Sequence, residues 1–366
     1  MYYSEYIYKY LFVLIFQFNL TYCSIQCLNE NGNPVDWYVV YKLPKIRHGS
    51  GFINDGTAYK YITSETLSGG WIDSHLPITS EQSLVARTLH PLYDKQNDDD
   101  IWLVYNDQEK WFSKESFGHT KGVMAANKNG GFWLIHSVPA FPSVAEKYSY
   151  PERGHRNGQS MLCITLPANQ IDKLGKIFMY NKPNIFGKKI SDNIKGIYPN
   201  LELAANGTTV KKAPWQMLSN IYSAAGRNFT NYAKSKKFNK DLYEWVADEF
   251  KTDIFAETWL NEVKPLPSKC DHYEVINVLS IEFKNNSKSS ASVKFSSYKD
   301  HSKWAISKLA TKPWICIGDI NRAEHQEKRG GGTMCLEDKT LWEAYNNIIN
   351  NTSSCKSYET KNHIAQ

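Results

Sequence analysis

Two His-x-Lys triplets, His119-Thr120-Lys121 and His301-Ser302-Lys303, set an imidazole two residues ahead of an ammonium in each half of the chain. A neutral imidazole attacks phosphorus and a fixed ammonium offsets phosphate charge, so two such units facing one pocket can cleave a phosphodiester without a metal. In an extended backbone residues i and i+2 share a face, which puts both working groups of a triplet on one side. One triplet alone carries little weight, because ten histidines in a lysine-rich chain make an accidental copy expected. For either one the alternative is a surface turn with an incidental histidine. The flanks strengthen the pair: Phe132-Trp133-Leu134-Ile135 begins eleven positions after Lys121, and Trp314-Ile315-Cys316-Ile317 begins eleven after Lys303. The chemistry they point to is that of a nuclease.

Other residues are weighed against that frame. His136 ends an apolar run and reads either as a site residue where a buried strand emerges or as a satisfied core histidine. Asp319 and Asn321 follow the second run, placed to orient an imidazole and to donate to a phosphate oxygen, or else to make an ordinary Gly-Asp turn. Gly330-Gly331-Gly332-Thr333 resembles a phosphate nest without the P-loop lysine and reads as a flexible or closely packed turn. Asp98-Asp99-Asp100 reads as a solvated loop, since no paired metal signature accompanies it, and no cofactor is expected. Trp37, Trp71, Trp102, Trp111, Trp133 and Trp314 are base-stacking candidates, most of them expected in the core. Lys234, Lys236, Lys237 and Lys240 read as a solvated helix face, with a phosphate track as the alternative.

The elements that must position these groups alternate in type. Strand patterns cover 35–41, 101–105, 131–138, 162–166, 275–283 and 314–317, and helical periodicity covers 80–89, 168–176, 215–225, 241–249 and 341–349. The class is α/β, with a crossing between two lobes in the Pro-, Gly- and Asn-rich stretch near 181–200. The expected division is a signal peptide at 1–24, an N-terminal lobe at 25–190 with the first motif and a C-terminal lobe at 191–366 with the second. The apolar run LFVLIFQFNL at 11–20 fits a cleaved leader and falls short of the roughly 20 residues that span a bilayer, so no membrane anchor is expected. Beyond the leader, Cys27, Cys163, Cys270, Cys316, Cys335 and Cys355 favour disulfides in an oxidising compartment, and their spacing leaves the pairing open. Acceptor triplets at Asn206, Asn228, Asn285, Asn350 and Asn351 agree with secretion. The formal charge of +6 grows in acid as histidines protonate, which suits an anionic partner.

At these residues the sequence resembles the deoxyribonuclease II family. The likeness runs from Cys27 to Cys355 through PVDWYVVYKLP (34–44), GHTKG and GGFWLIHSVPAFP (118–142), GQSMLCITLP (158–167), DHSKWAIS (300–307), PWICIGDINR and QEKRGGGTMC (313–335). The resemblance implies a phospholipase D-like, pseudo-twofold arrangement of two mixed-sheet lobes sharing one active-site cleft for double-stranded DNA. It implies metal-independent cleavage at acid pH that leaves a 3′-phosphate, in a secreted or lysosomal protein. It makes His119 the nucleophile and His301 the general acid, roles that can be exchanged on sequence alone, with Lys121 and Lys303 on the nonbridging oxygens and His136 a further site residue. The disulfides it implies are Cys27–Cys163, Cys270–Cys355 and Cys316–Cys335. One departure stands out: where many relatives have an aspartate in a stretch like GVLLLD, this chain has Asn127 in GVMAAN. An imidazole relying on that carboxylate would lose basicity, so the second reading is a catalytically weak or inactive DNA-binding or host-interacting protein on the same scaffold.

Overall fold

The computed structural model describes residues 25–94, 98–109, 114–284 and 292–355. The expected leader at 1–24, Trp111 and the Asn285 acceptor lie outside them. In chain order the elements of the first half are β1 (Trp37–Lys42), α1 (Phe52–Asp55), β2 (Tyr59–Thr63), β3 (Ile72–Asp73), α2 (Leu84–Leu89), β4 (Ile101–Asn106), β5 (Lys121–Asn127), β6 (Gly130–His136), β7 (Gln159–Pro167), α3 (Ala168–Asn181) and β8 (Ile185–Ile190). The second half has α4 (Pro199–Ala205), β9 (Gln216–Tyr222), β10 (Asn228–Lys234), α5 (Leu242–Phe250), β11 (Ile254–Glu257), β12 (Val275–Phe283) and β13 (Val293–Ser296). It closes with β14 (Trp304–Ser307), β15 (Trp314–Gly318), α6 (Glu324–Glu327), β16 (Gly331–Glu337), α7 (Lys339–Asn346) and β17 (Ile349–Thr352).

Two open sheets result, ordered β3-β2-β1-β7-β6-β5-β4-β8 and β13-β12-β11-β14-β15-β16-β10-β9, with β17 on β12. The stretch β1-β7-β6-β5-β4 and the stretch β10-β16-β15-β14-β11 have the same strand order, the same chain sequence and antiparallel pairing throughout. In that correspondence β5, which opens on Lys121, matches β14, which opens one residue after Lys303. Mixed sheets were expected in both halves; the first is antiparallel in every described pair, and in the second β11–β12 runs parallel.

The apolar runs are continuous rather than alternating because the strands are buried on both faces. Trp37, Val39 and Tyr41 of β1 meet Trp304, Ile306, Ile315 and Ile317 of the second sheet in one shared core that α3, α4 and α7 complete. Tyr38 and Val40 face the other way, under α2, while Ala305 and Cys316 pack beneath α5. Disulfides join Cys27–Cys163, Cys270–Cys355 and Cys316–Cys335. Asn206, Asn228, Asn350 and Asn351 are exposed. No helix of the described residues is long and apolar enough to cross a membrane.

Three expectations are corrected. The segment 215–225 is no helix: it holds strand β9, paired residue by residue with β10. Met217 and Ile221 face the core, and an i,i+4 pair lies on one side of a helix and of a strand alike, so the pattern could not separate them. The Gly330–Thr333 run is strand rather than turn from Gly331 onward, and a Cβ on Gly332 would sit 2.6 Å from the Tyr232 carbonyl oxygen of β10. The Asp98–Asp100 triplet is solvated only in part, since Asp100 is buried and 2.8 Å from the Lys189 ammonium.

Candidate active site

The equivalent strands β5 and β14 carry the two triplets to one place, because the sheets pack face to face with these strands in matching positions. His119, His301 and Lys303 line a single cavity of about 90 Å³ together with Ser137, Trp259 and Arg329. That is a small space, on the scale of a few ordered waters or one phosphate group. Each triplet is stitched to the opposite sheet: the His119 N–H donates to Gly330 O at 2.9 Å and the His301 N–H to Gly158 O at 2.8 Å. The Lys303 N–H donates to Ser160 Oγ of β7 at 3.1 Å, and buried Asp300 accepts from the Tyr41 hydroxyl of β1. Gly118 is glycine for a spatial reason, since a Cβ there would lie 1.9 Å from the Asn181 carbonyl at the end of α3.

The cations are held in different ways. Lys121 is buried and is not among the residues lining the cavity; its ammonium is 2.5 Å from Asp107, whose other oxygen takes Arg329 at 2.9 Å. Burial alone would raise the Asp107 carboxyl, but Lys121, His119 and Arg329 together pull it well below the usual range, so it stays ionised. Lys303 faces the cavity and donates to the His301 carbonyl at 2.5 Å. Burial, then the neighbouring Lys121, lowers its ammonium to about 7.

The imidazoles have amide partners. His119 Nδ1 is 2.7 Å from Gln326 Oε1; a carboxamide oxygen only accepts, so Nδ1 carries the proton and Nε2 keeps its lone pair. His301 Nε2 is 3.1 Å from Asn157 Nδ2, and the Trp259 ring lies 4.3 Å from its centroid. Burial first, then Lys121, Arg329 and Lys303, outweigh Asp107 and hold His119 well below the ordinary imidazole value. Burial, Lys303, Lys121 and Lys42 do the same to His301. Each histidine thus feels the lysine of the other triplet, as convergence around one point requires.

The remaining sequence candidates fall around this centre. His136 is fully buried behind the cavity, with Nδ1 accepting from the Val138 N–H at 3.2 Å, Nε2 without a partner and Ser137 rather than His136 on the lining. Burial and Lys121 lower it to about 3, so it is neutral throughout the mildly acid range. Asp319 orients no imidazole: its carboxylate accepts from the Gly332 N–H at 3.2 Å, because the β15–β16 register sets it against that backbone. Asn321 lines the cavity, and one of the two N–H donors of its Nδ2 is committed to the Glu262 carboxylate. Asn127 lies at the far end of β5, opposite Gly130 in the hairpin, and cannot serve His119; Gln326 fills that place. Sequence reading missed Asp107, Asn157, Trp259, Gln326 and Arg329. None has a local signal: Asp107 lies 14 residues before Lys121 on the neighbouring strand end, Gln326 reaches the site from the short helix α6, and Asn157, Trp259 and Arg329 come from loops.

Comparison with known proteins follows the same outline. The family profile described as Deoxyribonuclease II matches residues 26–355. The chain is 36% identical over 340 residues to deoxyribonuclease-2-alpha of Mus musculus, covering 91% of this chain and 94% of that one. It is 36% identical over 377 residues to deoxyribonuclease-2 of Caenorhabditis elegans, covering 94% and 98%. It is 36% identical over 343 residues to deoxyribonuclease-2-beta of Homo sapiens, covering 91% and 92%.

Proposed function

This chain belongs to the deoxyribonuclease II family and is a DNA-hydrolysing nuclease, and from that premise we propose that it cuts double-stranded DNA internally, in acid and without a metal, through a phosphohistidine. The observation that carries the reading is the meeting of His119, His301 and Lys303 in one cavity of phosphate size. His119 Nε2, held free by the Nδ1 hydrogen bond to Gln326, attacks phosphorus while His301 gives its proton to the departing 5′ oxygen. The bond from phosphorus to the 5′ oxygen breaks, and the phosphorus, still bonded to the 3′ oxygen of its strand, is now bonded to His119 Nε2. Water, losing a proton to the now neutral His301, attacks that phosphorus and frees His119, leaving a 3′-phosphate and a 5′-hydroxyl. Lys303 and Arg329, with Lys121 behind, supply the positive charge that a metal would otherwise bring to the nonbridging oxygens. His136 is proposed to support the site from behind as a neutral ring.

The choice of an amide for His119 suits acid chemistry. A carboxylate at Nδ1 would raise the basicity of the ring and protonate the nucleophile in acid, whereas neutral Gln326 orients it without that cost. The phospholipase D-like likeness of the scaffold is supported by the repeated strand order of the two sheets. Secretion or delivery to an acid organelle is supported by three disulfides and the leader-like N-terminus. The test is nicking of supercoiled plasmid near pH 5 in EDTA, with the ends analysed for 3′-phosphate. Activity that appears only on adding a divalent ion would reject the mechanism, and DNA binding with no nicking would select the inactive-scaffold reading.

A second cavity, of about 300 Å³, adjoins the first through Arg329 and is lined by Lys182, Lys211, Lys236, Lys237 and Trp215. We assign it to phosphates flanking the scissile bond. Lys236 and Lys237 are exposed there, whereas Lys234 of the same cluster turns inward. Lys236→Glu with Lys237→Glu is expected to raise KM for plasmid roughly tenfold at low salt and to flatten the log KM against log salt slope by about 2, near 0.9 per lost phosphate contact, with kcat unchanged. A KM that stays put would remove these lysines from the DNA path.

A further inference from the structure

The two histidines are each touched by an amide that comes from the opposite sheet, and each amide's own backbone is gripped by a buried lysine. Lys234 is the last residue of β10 and faces Gly331, the first residue of β16. Its ammonium donates to the carbonyl oxygens of Gln326 at 3.0 Å, Glu327 at 2.9 Å and Arg329 at 2.7 Å. Lys42 is the last residue of β1 and faces Gln159, the first residue of β7. Its ammonium donates to the carbonyl oxygens of Gly56 at 3.2 Å, His155 at 3.0 Å and Asn157 at 2.5 Å. These are equivalent places in the two sheets, so the arrangement is one device built twice. Gln326 touches His119 and Asn157 touches His301, although the two amides sit at different offsets from the strands that follow them.

Both lysines are buried, Lys42 at 0% and Lys234 at 1% exposure. An ammonium has three donors, and in each case all three go to main-chain carbonyls outside the strands: for Lys234 two at the end of α6 and one just past it, for Lys42 three in loops. Replacing a buried charge by an apolar side chain of similar length is often neutral or stabilising, so a strand end that needed only filling would be served as well by methionine. A lysine gives what methionine cannot: three directed bonds that fix the loop backbone and hence the amide it carries.

We propose that Lys42 and Lys234 are positioning residues for the nuclease reaction, Lys234 holding Gln326 against His119 and Lys42 holding Asn157 against His301. The inference rests on the reading of the two histidines given above. Lys234→Met is expected to lower kcat about 10- to 100-fold with KM nearly unchanged, the scale of a small misplacement at a reacting group. Gln326→Ala should do the same, and the double variant should be little worse than either single one, because the lysine acts through the amide. Lys234→Met combined with Asn157→Ala should instead multiply their effects. A loss of melting temperature with kcat preserved would make the lysines merely structural and overturn the proposal.

The decisive measurement does not need activity. In 15N-histidine-labelled protein, Lys234→Met should change the Nδ1–H signature of His119 and leave His301 alone, and Lys42→Met should change the Nε2 signal of His301, the nitrogen that Asn157 touches, and leave His119 alone; because the Lys42 charge also acts on His301 directly, Asn157→Ala with Lys42 in place must reproduce that change. An unchanged ring signature in both, or one disturbed equally at both histidines, would overturn the proposal, whereas a wild type that fails to nick DNA would bear on the nuclease reading alone. Should a methionine variant not fold, Gln326→Ala and Asn157→Ala with both lysines in place must give the same one-histidine-each pattern, and failure to do so overturns it equally.

Discussion

His119→Asn and His301→Asn are each expected to cut plasmid nicking by about 10³-fold or more, the scale on which loss of a nucleophile or its proton partner is felt, with folding unchanged. The two losses should part company when the leaving group changes. A phosphodiester that expels p-nitrophenolate needs no proton on its departing oxygen, so His301→Asn should release p-nitrophenolate in a burst of about one equivalent on that substrate, with turnover still limited by hydrolysis of the phosphohistidine, where His301 takes the proton of water. His119→Asn should show no burst, because the nitrogen whose lone pair is held free by the Nδ1 hydrogen bond to Gln326 is gone. The reverse pattern would exchange the two roles. Plasmid nicking that survives in both variants would end the proposal that this cavity is the catalytic centre.

Lys303→Met is expected to lower kcat/KM about 10²- to 10³-fold, as loss of one charge-stabilising donor does, and also to move the pH profile. The sign follows from the causes. Lys303 is among the groups that hold both His301 and His119 below the ordinary imidazole value, so removing its charge raises both and carries both limbs of the bell toward higher pH. In the unaltered protein the alkaline limb combines two losses: the proton of His301, and the charge of Lys303 as pH rises through about 7. His119, the proposed nucleophile, is held well below the ordinary imidazole value, so an acid working window is expected. A profile that keeps its position and loses only height would refute this electrostatic account of the proposed acid optimum.

Much of this was readable in the chain. Period-two spacing sets an imidazole near an ammonium in each triplet, although the fold puts Lys303 on the cavity and Lys121 behind it, and a sustained apolar run marks a strand buried on both sides. Those are local properties, decided within a few residues by backbone geometry and burial. Where a pattern fits two geometries the local reading fails, as at Met217 and Ile221, and pairing of β9 with β10 decided the matter. Asn127 shows a different limit. Its position after the first triplet suggested a partner for the imidazole, but an extended strand carries it away from His119 to the hairpin end.

The sequence by itself determined the candidate reacting groups, their pairing as His-x-Lys and the family to which the chain belongs. Only the tertiary structure decided which partners set their chemistry. Gln326 lies 207 residues from His119 and Asn157 lies 144 from His301, and the contact in each case depends on how two sheets of like topology face each other. Tautomer, basicity and charge are set by whatever stands within a few ångströms, and chain distance carries no information about that until the core has closed.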